Sequence, residues 1–183
     1  MVTQRVDDEL ELKSLREKDA EDLFALIRDN REYLRQWLVW VDDNTSVRHS
    51  RQFARSPMGK LSSGIWFKGR LVGVIGYQAT VWSSKTAHIG YWLGASFQGQ
   101  GIVTRSCRVM VDNAFGELGM NRAEIFCAEG NCRSRAIPER LGFTLEGTIR
   151  QGQWLYDHFA DLVVYGMLAS EWEAAGRDTA AGP

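Results

Sequence analysis

The spacing of apolar and polar positions changes period several times along the chain, and each change marks an element. Leu10 to Leu15 alternates, as a half-buried strand does. Asp19 then stands where a helix cap would, and Leu23, Leu26 and Ile27 follow at helical spacing. The polar run from Arg28 to Glu32 interrupts that stripe before Leu34, Trp37 and Leu38 resume it, which predicts two short helices rather than one long one. Asp42, Asp43 and Asn44 predict a loop between Trp40 and Thr45. Ser46 can cap another short helix, in a region closed by Pro57 and Gly59. From Gly64 the period shortens: Ile65 to Phe67, a Lys68-Gly69 turn and Leu71 to Ile75 read as a hairpin, and Thr86 to Leu93 as a further strand. Ile102, Val103, Cys107, Met110, Val111, Ala114, Phe115 and Leu118 return to helical spacing, with Gly119 placed to end the helix. Ala123 to Ala128 is a short strand. Asn131 can cap a helix that stops at Leu141-Gly142, and two long strands, Phe143 to Tyr156 and Leu162 to Leu168, flank a turn at Asp157-His158. The order is helices, a strand meander, then strand-helix-strand-helix-strand-strand. It predicts a mixed α/β domain of the α+β type rather than an alternating doubly wound one.

Composition narrows this picture. At 183 residues, with 44% hydrophobic content and no linker-like stretch, the chain suits one domain with a sizeable core. That domain is expected over residues 1–173, with a small, polar, loose tail over 174–183. Lys+Arg 22 against Asp+Glu 23 leaves a net charge of -1, which removes the electrostatic argument for direct nucleic-acid binding. No apolar run reaches the roughly 20 residues of a membrane helix, and Met1 to Glu11 lacks the apolar stretch of a secretion signal. Cys107, Cys127 and Cys132 form an odd set without CxxC spacing, so a reduced, cytoplasmic protein is expected. With the three histidines they show no zinc spacing, and no metal is expected. Seven tryptophans are many for this length.

The segment from Leu93 to Thr104 joins a strand to an amphipathic helix and carries Gly94, Gly99 and Gly101. Glycines that turn backbone amides inward, next to a helix start, make a nest for an anion such as a diphosphate. Gly94 and Gly99 have Walker spacing, but Gln100-Gly101 follow in place of Lys-Ser/Thr. A dinucleotide fingerprint fails because Thr104 takes the third glycine's place. What remains is Gln/Arg-x-x-Gly-x-Gly/Ala, filled by Gln98-Gly99-Gln100-Gly101-Ile102-Val103; taken alone, it is equally an ordinary glycine turn capping a helix.

About 30 residues downstream comes Asn131-Cys132-Arg133-Ser134-Arg135-Ala136-Ile137-Pro138-Glu139-Arg140-Leu141-Gly142-Phe143. With this segment, with Ile89 to Leu93 and with Gly152 to Asp157, the sequence resembles the GNAT superfamily of acetyl-CoA-dependent N-acetyltransferases. Within it the match is to the Rim-type branch that acetylates ribosomal-protein N-termini and related amines. The resemblance runs from the Arg35-Gln36-Trp37-Leu38 region to Trp172. It implies a single domain with a mixed, mostly antiparallel sheet, splayed at the cofactor cleft and carrying helices on both faces. It also implies acetyl-CoA as co-substrate, with the pantetheine arm near Trp92 and Leu93, and the diphosphate on Gln98, Gly99, Gln100, Gly101, Ile102, Val103 and Thr104. Asn131 would cap the helix and bond the pantetheine amide. Val103 departs from the family pattern of Gly or Ala, which would shift the diphosphate slightly.

The reaction so implied is direct attack of an amine on the thioester in a ternary complex, and it needs an oxyanion donor and a proton for the departing thiolate. The backbone near Trp92-Leu93 would supply the first. Many relatives carry a tyrosine as general acid; the corresponding position here is Pro138, and Ser134 is the replacement the resemblance implies, although a serine there can equally help cap the helix. Glu129, at a strand end beside the cleft, is the candidate base, and it is equally a solvated carboxylate before a loop. His88 is expected to face the sheet surface and His158 to be an exposed turn residue. Trp37 continues an apolar stripe and is expected in the core, which leaves Trp40 as the acceptor-site aromatic. The acceptor would be a protein N-terminal α-amine. A small amine (an aminoacyl compound, polyamine or antibiotic) and a sensor that binds acetyl-CoA without turnover are the alternatives. Dimers are common in the resembling family, which allows a homodimer.

Overall fold

A computed structural model describes residues 3–180, with side chains through residue 176. Among these residues one sheet contains eight strands: β1 (Gln4–Arg5), β2 (Leu10–Ser14), β3 (Ser62–Phe67), β4 (Arg70–Val81), β5 (Thr86–Leu93), β6 (Arg122–Ala128), β7 (Thr144–Leu155) and β8 (His158–Leu168). Their order across the sheet is β1-β2-β3-β4-β5-β6-β8-β7. Every neighbouring pair is antiparallel except β5 and β6. That parallel pair is also the shortest join in the middle of the sheet: Thr86, Ala87 and His88 pair with Arg122, Ala123 and Glu124, and pairing then stops. Beyond it β5 stays bonded to β4 as far as Leu93, and β6 to β8 as far as Ala128. The two strands therefore separate while each remains rigid.

Helices cover both faces. Helices α1 (Ala20–Asp29), α2 (Arg31–Arg35), α3 (Val47–Arg55) and α4 (Pro57–Lys60) precede the meander. Leu15, Leu23, Ile27, Leu34 and Val41 pack there against Leu71 and Val74 of β4. Helices α5 (Ile102–Gly116) and α6 (Cys132–Arg140) close the opposite face, where Ile102, Cys107, Met110 and Val111 meet Ile75, Ile89 and Ile125 in the larger core. Val72 faces this second core although Leu71 and Val74 face the first. It is the extra residue of a bulge, because Ile65 pairs with Gly73 and Trp66 with Leu71. Alternation along β5 divides its residues the same way: Ile89, Tyr91 and Leu93 lie on the α5 side, and Trp92 on the α1–α3 side.

The local periodicities predicted most of these elements. The two-residue β1 and the single turn of α4 are additions, each too short to show a period. The last helix, α7 (Ala169–Ala180), continues through the segment from residue 174 expected to be loose; 181–183 lie outside the described residues. No described helix is long and apolar enough to cross a membrane.

Candidate functional site

The separation of β5 and β6 opens a cleft of about 770 Å³, within the range of small-molecule sites. Trp92 and Leu93, all of residues 98–104, Asn131 and Ser134 line it. The loop follows from three local choices. Asn30, between α1 and α2, accepts from the amide of Ala95 at 2.8 Å and donates to the carbonyl of Leu26 at 2.8 Å, which anchors the loop entry. Gly99 and Gly101 hold φ of 74° and 68°, the left-handed region that L residues disfavour. A side chain built on either would meet nothing within 4 Å, so bare backbone faces the cleft. Gly101 is the residue before α5, whose first amides have no partner within the helix. Val103, 8% exposed, turns its side chain into the core, so its bulk is absorbed there.

Three arginines add positive charge to this end of the cleft: Arg105, Arg133 and Arg140. Arg133 donates to the Gln98 amide oxygen at 2.6 Å, and the Gln98 amide nitrogen donates to the Tyr33 hydroxyl, so a side-chain chain links α6, the loop and α2. Arg105 donates to Asp7, which also accepts from the amides of Glu9 and Leu10, and bonds the Gln100 carbonyl at 3.4 Å. These contacts hold Asp7's carboxyl below its usual range; the amide of Glu9 contributes most, with partial burial opposing it.

Deeper in the gap, Asn131 caps α6 by accepting from the amide of Ser134 at 3.2 Å. Ser134 Oγ lies 3.3 Å from Cys127 Sγ on β6 and 3.4 Å from the Tyr91 hydroxyl on β5. Burial pushes both the Tyr91 phenol and the Cys127 thiol upward, so each stays protonated at neutral pH.

Two expected residues lie outside this lining. Glu129 is exposed where β6 ends; its amide donates to the Asp161 carbonyl at 2.9 Å and its carbonyl accepts from Arg135 at 3.1 Å. Trp40 is half-buried, with its ring centroid 5.9 Å from that of Trp92. Trp37 reverses its expectation. It lines the cleft, and a side chain at Gly130 would meet its ring at 3.5 Å. The stripe of Leu34 and Leu38 suggested a core position; the Leu38 amide still bonds the Leu34 carbonyl at 3.0 Å and both side chains also border the cleft, so Trp37 keeps the stripe's phase but takes its cleft side. His88 faces Glu124 at 3.2 Å and Phe126, away from the cleft, and His158 sits exposed beside Asp157. Tyr33 and Tyr91 went unread in the sequence, because their partners lie 65 and 43 residues away.

A family model described as an acetyltransferase (GNAT) domain matches residues 9–144. YdaF of Bacillus subtilis, provisionally named a ribosomal N-acetyltransferase, is 37% identical over 94% of this chain and 98% of its own length. The ribosomal-protein-serine acetyltransferase of Escherichia coli is 31% identical over 91% and 96%. Among solved structures, RimL, a ribosomal α-N-protein acetyltransferase in complex with coenzyme A, superposes with a TM-score of 0.87 at 28% identity, covering 93% of this chain and 99% of its own. The microcin self-immunity acetyltransferase MccE, in complex with acetyl-CoA and AMP, gives 0.83 at 32% identity over 89% and 94%.

Proposed function

The chain belongs to the GNAT acetyltransferase family and is an acetyl-CoA-dependent N-acetyltransferase, and on that premise we propose that its acceptor is the N-terminal α-amine of a ribosomal protein. The observation that carries the proposal is the extent of likeness to acetyltransferases named for ribosomal substrates, which spans more than nine-tenths of this chain. An acceptor on the ribosome implies a cytoplasmic enzyme. Acetyl-CoA fits the cleft by its chemistry: bare glycine backbone, free helix amides and three arginines suit a long ligand rich in phosphate. When bound, it supplies a thioester.

The remaining work falls to this chain. The amides of residues 99–104 hold the anionic part, and the unpaired edges of β5 and β6 receive the extended arm as an added strand would be received. Backbone near Trp92 and Leu93 supplies the oxyanion donor. Ser134 holds at Oγ the proton that the leaving sulfur takes up, and Asn131 fixes the turn that carries it. Glu129, at the rim, receives the amine's proton through solvent. Trp37 and the Trp40–Trp92 pair form the acceptor wall.

The decisive experiment follows thiol release from acetyl-CoA with three acceptor panels: N-terminal peptides, polyamines and aminoacyl compounds. Fast turnover confined to peptides is the expected result, with loss of turnover but retained acetyl-CoA binding in Ser134→Ala. Turnover confined to aminoacyl compounds would favour a small-molecule acceptor, a reading supported by the AMP bound in MccE. Binding without turnover on every panel would support the sensor reading or an acceptor outside the three panels. We further propose a homodimer. The outer strand β7 leaves Leu145, Ile149 and Trp154 exposed, an apolar edge that a second copy would cover; light scattering at micromolar concentration tests this.

A further inference from the structure

Helix α6 has a proline inside it, at position 138. In an unbroken helix the carbonyl of Ser134 accepts from the amide of residue 138. Pro138 has no N–H, and a helical proline ring crowds the carbonyl four residues before it. Ser134's carbonyl is therefore deprived of its partner by the sequence of its own helix. Tyr91 supplies the replacement from another element: its hydroxyl donates to that carbonyl at 3.0 Å.

The same hydroxyl has a second contact. Ser134 Oγ donates toward it at 3.4 Å, while Cys127 Sγ lies 3.3 Å from Oγ. Tyr91 is on β5 and Cys127 on β6, both past the point where these strands cease to pair. The Ser134 side chain thus spans the splay, held from both strands. A phenol has one proton to donate. Here it is committed to the Ser134 carbonyl, so Tyr91 meets Ser134 Oγ only as an acceptor and the Oγ proton stays on the serine. Burial keeps Tyr91 protonated through neutral pH, so the arrangement persists under working conditions.

We infer that Tyr91 is a positioning residue: it replaces the helix amide that Pro138 removes, and by doing so fixes Ser134 Oγ over the gap between β5 and β6. The inference rests on the reading of Ser134 as proton donor. It predicts that the need for Tyr91 depends on Pro138, a dependence no general packing role would produce.

A mutant cycle tests it, with kcat, both KM values, acetyl-CoA affinity and Tm measured for each variant. Tyr91→Phe should lower kcat about tenfold and leave acetyl-CoA affinity within about twofold. In the Pro138→Ala background the amide at 138 is restored, and the same Tyr91 replacement should cost no more than about threefold in kcat, with a smaller fall in Tm. Equal losses in the two backgrounds would overturn the inference. A third arm places Tyr91→Phe on Ser134→Ala, where no further fall in kcat is expected; a further tenfold fall would mean that Tyr91 delivers the proton itself. Failure of the donor reading is separately visible. Unchanged turnover in Ser134→Ala would end that reading and the positioning role with it, while the Tm cycle decides the carbonyl contact alone.

Discussion

At the scale of single residues, burial gives three cysteines three chemistries. Cys107 is fully enclosed between α5 and the sheet, which pushes its thiol up to about 12. Cys127 is also raised by burial, although Ser134 and Tyr91 oppose the shift. Cys132 is exposed at the start of α6. Because the two buried thiols are shielded and held protonated, only the exposed Cys132 should react rapidly with a disulfide reagent. The expected result is one fast equivalent in the native protein, abolished by Cys132→Ser, with the other two released on unfolding. Nothing in the sequence ranks these thiols, since their environments come from elements far apart. The tryptophans carry the same lesson. The stripe around Trp37 read as core because spacing cannot show that a cleft opens along it, and the Trp40–Trp92 contact needs two elements that spacing cannot bring together.

Elements were legible where their signals are local, and the glycine loop shows how far this goes. Its left-handed turns could be read from spacing because a positive φ is a property of one residue. Gly101→Ala should cost about 1–2 kcal/mol of stability at a φ of 68° and raise the acetyl-CoA Kd, both measurable by thermal unfolding with and without the ligand. Sheet order was not legible, because strand pairing depends on partners far along the chain. One consequence is an ion pair that crosses a strand. Arg122 on β6 reaches Glu146 on β7 over β8, at a point where β8 has Gly166. A side chain there would stand 2.3 Å from the Glu146 carboxylate and 2.8 Å from the guanidinium. Arg122's hydrogen bond holds Glu146 below its ordinary value of 4.5, with burial opposing it. The folded carboxyl is thus the stronger acid. Its contribution is complete above the unfolded value and disappears as pH falls through the lower folded one. Glu146→Gln should therefore lower the urea midpoint at about pH 7, and the difference from the parent should shrink as the pH falls below the ordinary value of 4.5. Gly166→Ala should push the ends of the Glu146 and Arg122 side chains apart and weaken their pair, a loss of at most about 1 kcal/mol.

On the scale of the whole molecule, the wall bearing Trp37 belongs to the first fifth of the chain but is held by its end. Gln153 on β7 donates to the Trp37 carbonyl at 3.1 Å, across 116 residues. Tyr156, in the turn after β7, donates to the Leu38 carbonyl at 3.0 Å, across 118 residues. Arg35 stacks on the Tyr156 ring, 4.0 Å from its centre, while bonding Asp42. The β7–β8 hairpin therefore clamps the loop that follows α2, and α2 also carries Tyr33 toward Gln98. Tyr156's phenol is pushed above 10.0, chiefly by burial and then by Asp42, so it remains a donor throughout the usual assay range. Removing that donor should loosen the wall at Leu38 and Trp37 while the separate bond from Gln98 to Tyr33 stays in place. Tyr156→Phe and Gln153→Ala should thus each raise the acceptor KM about three- to tenfold while acetyl-CoA affinity stays within about twofold. Steady-state kinetics with both substrates varied, beside calorimetric titration of acetyl-CoA, separates the two effects. Equal weakening of both ligands would mean instead that the hairpin supports the entire cleft, with the splayed strands and the α2 wall moving as one body.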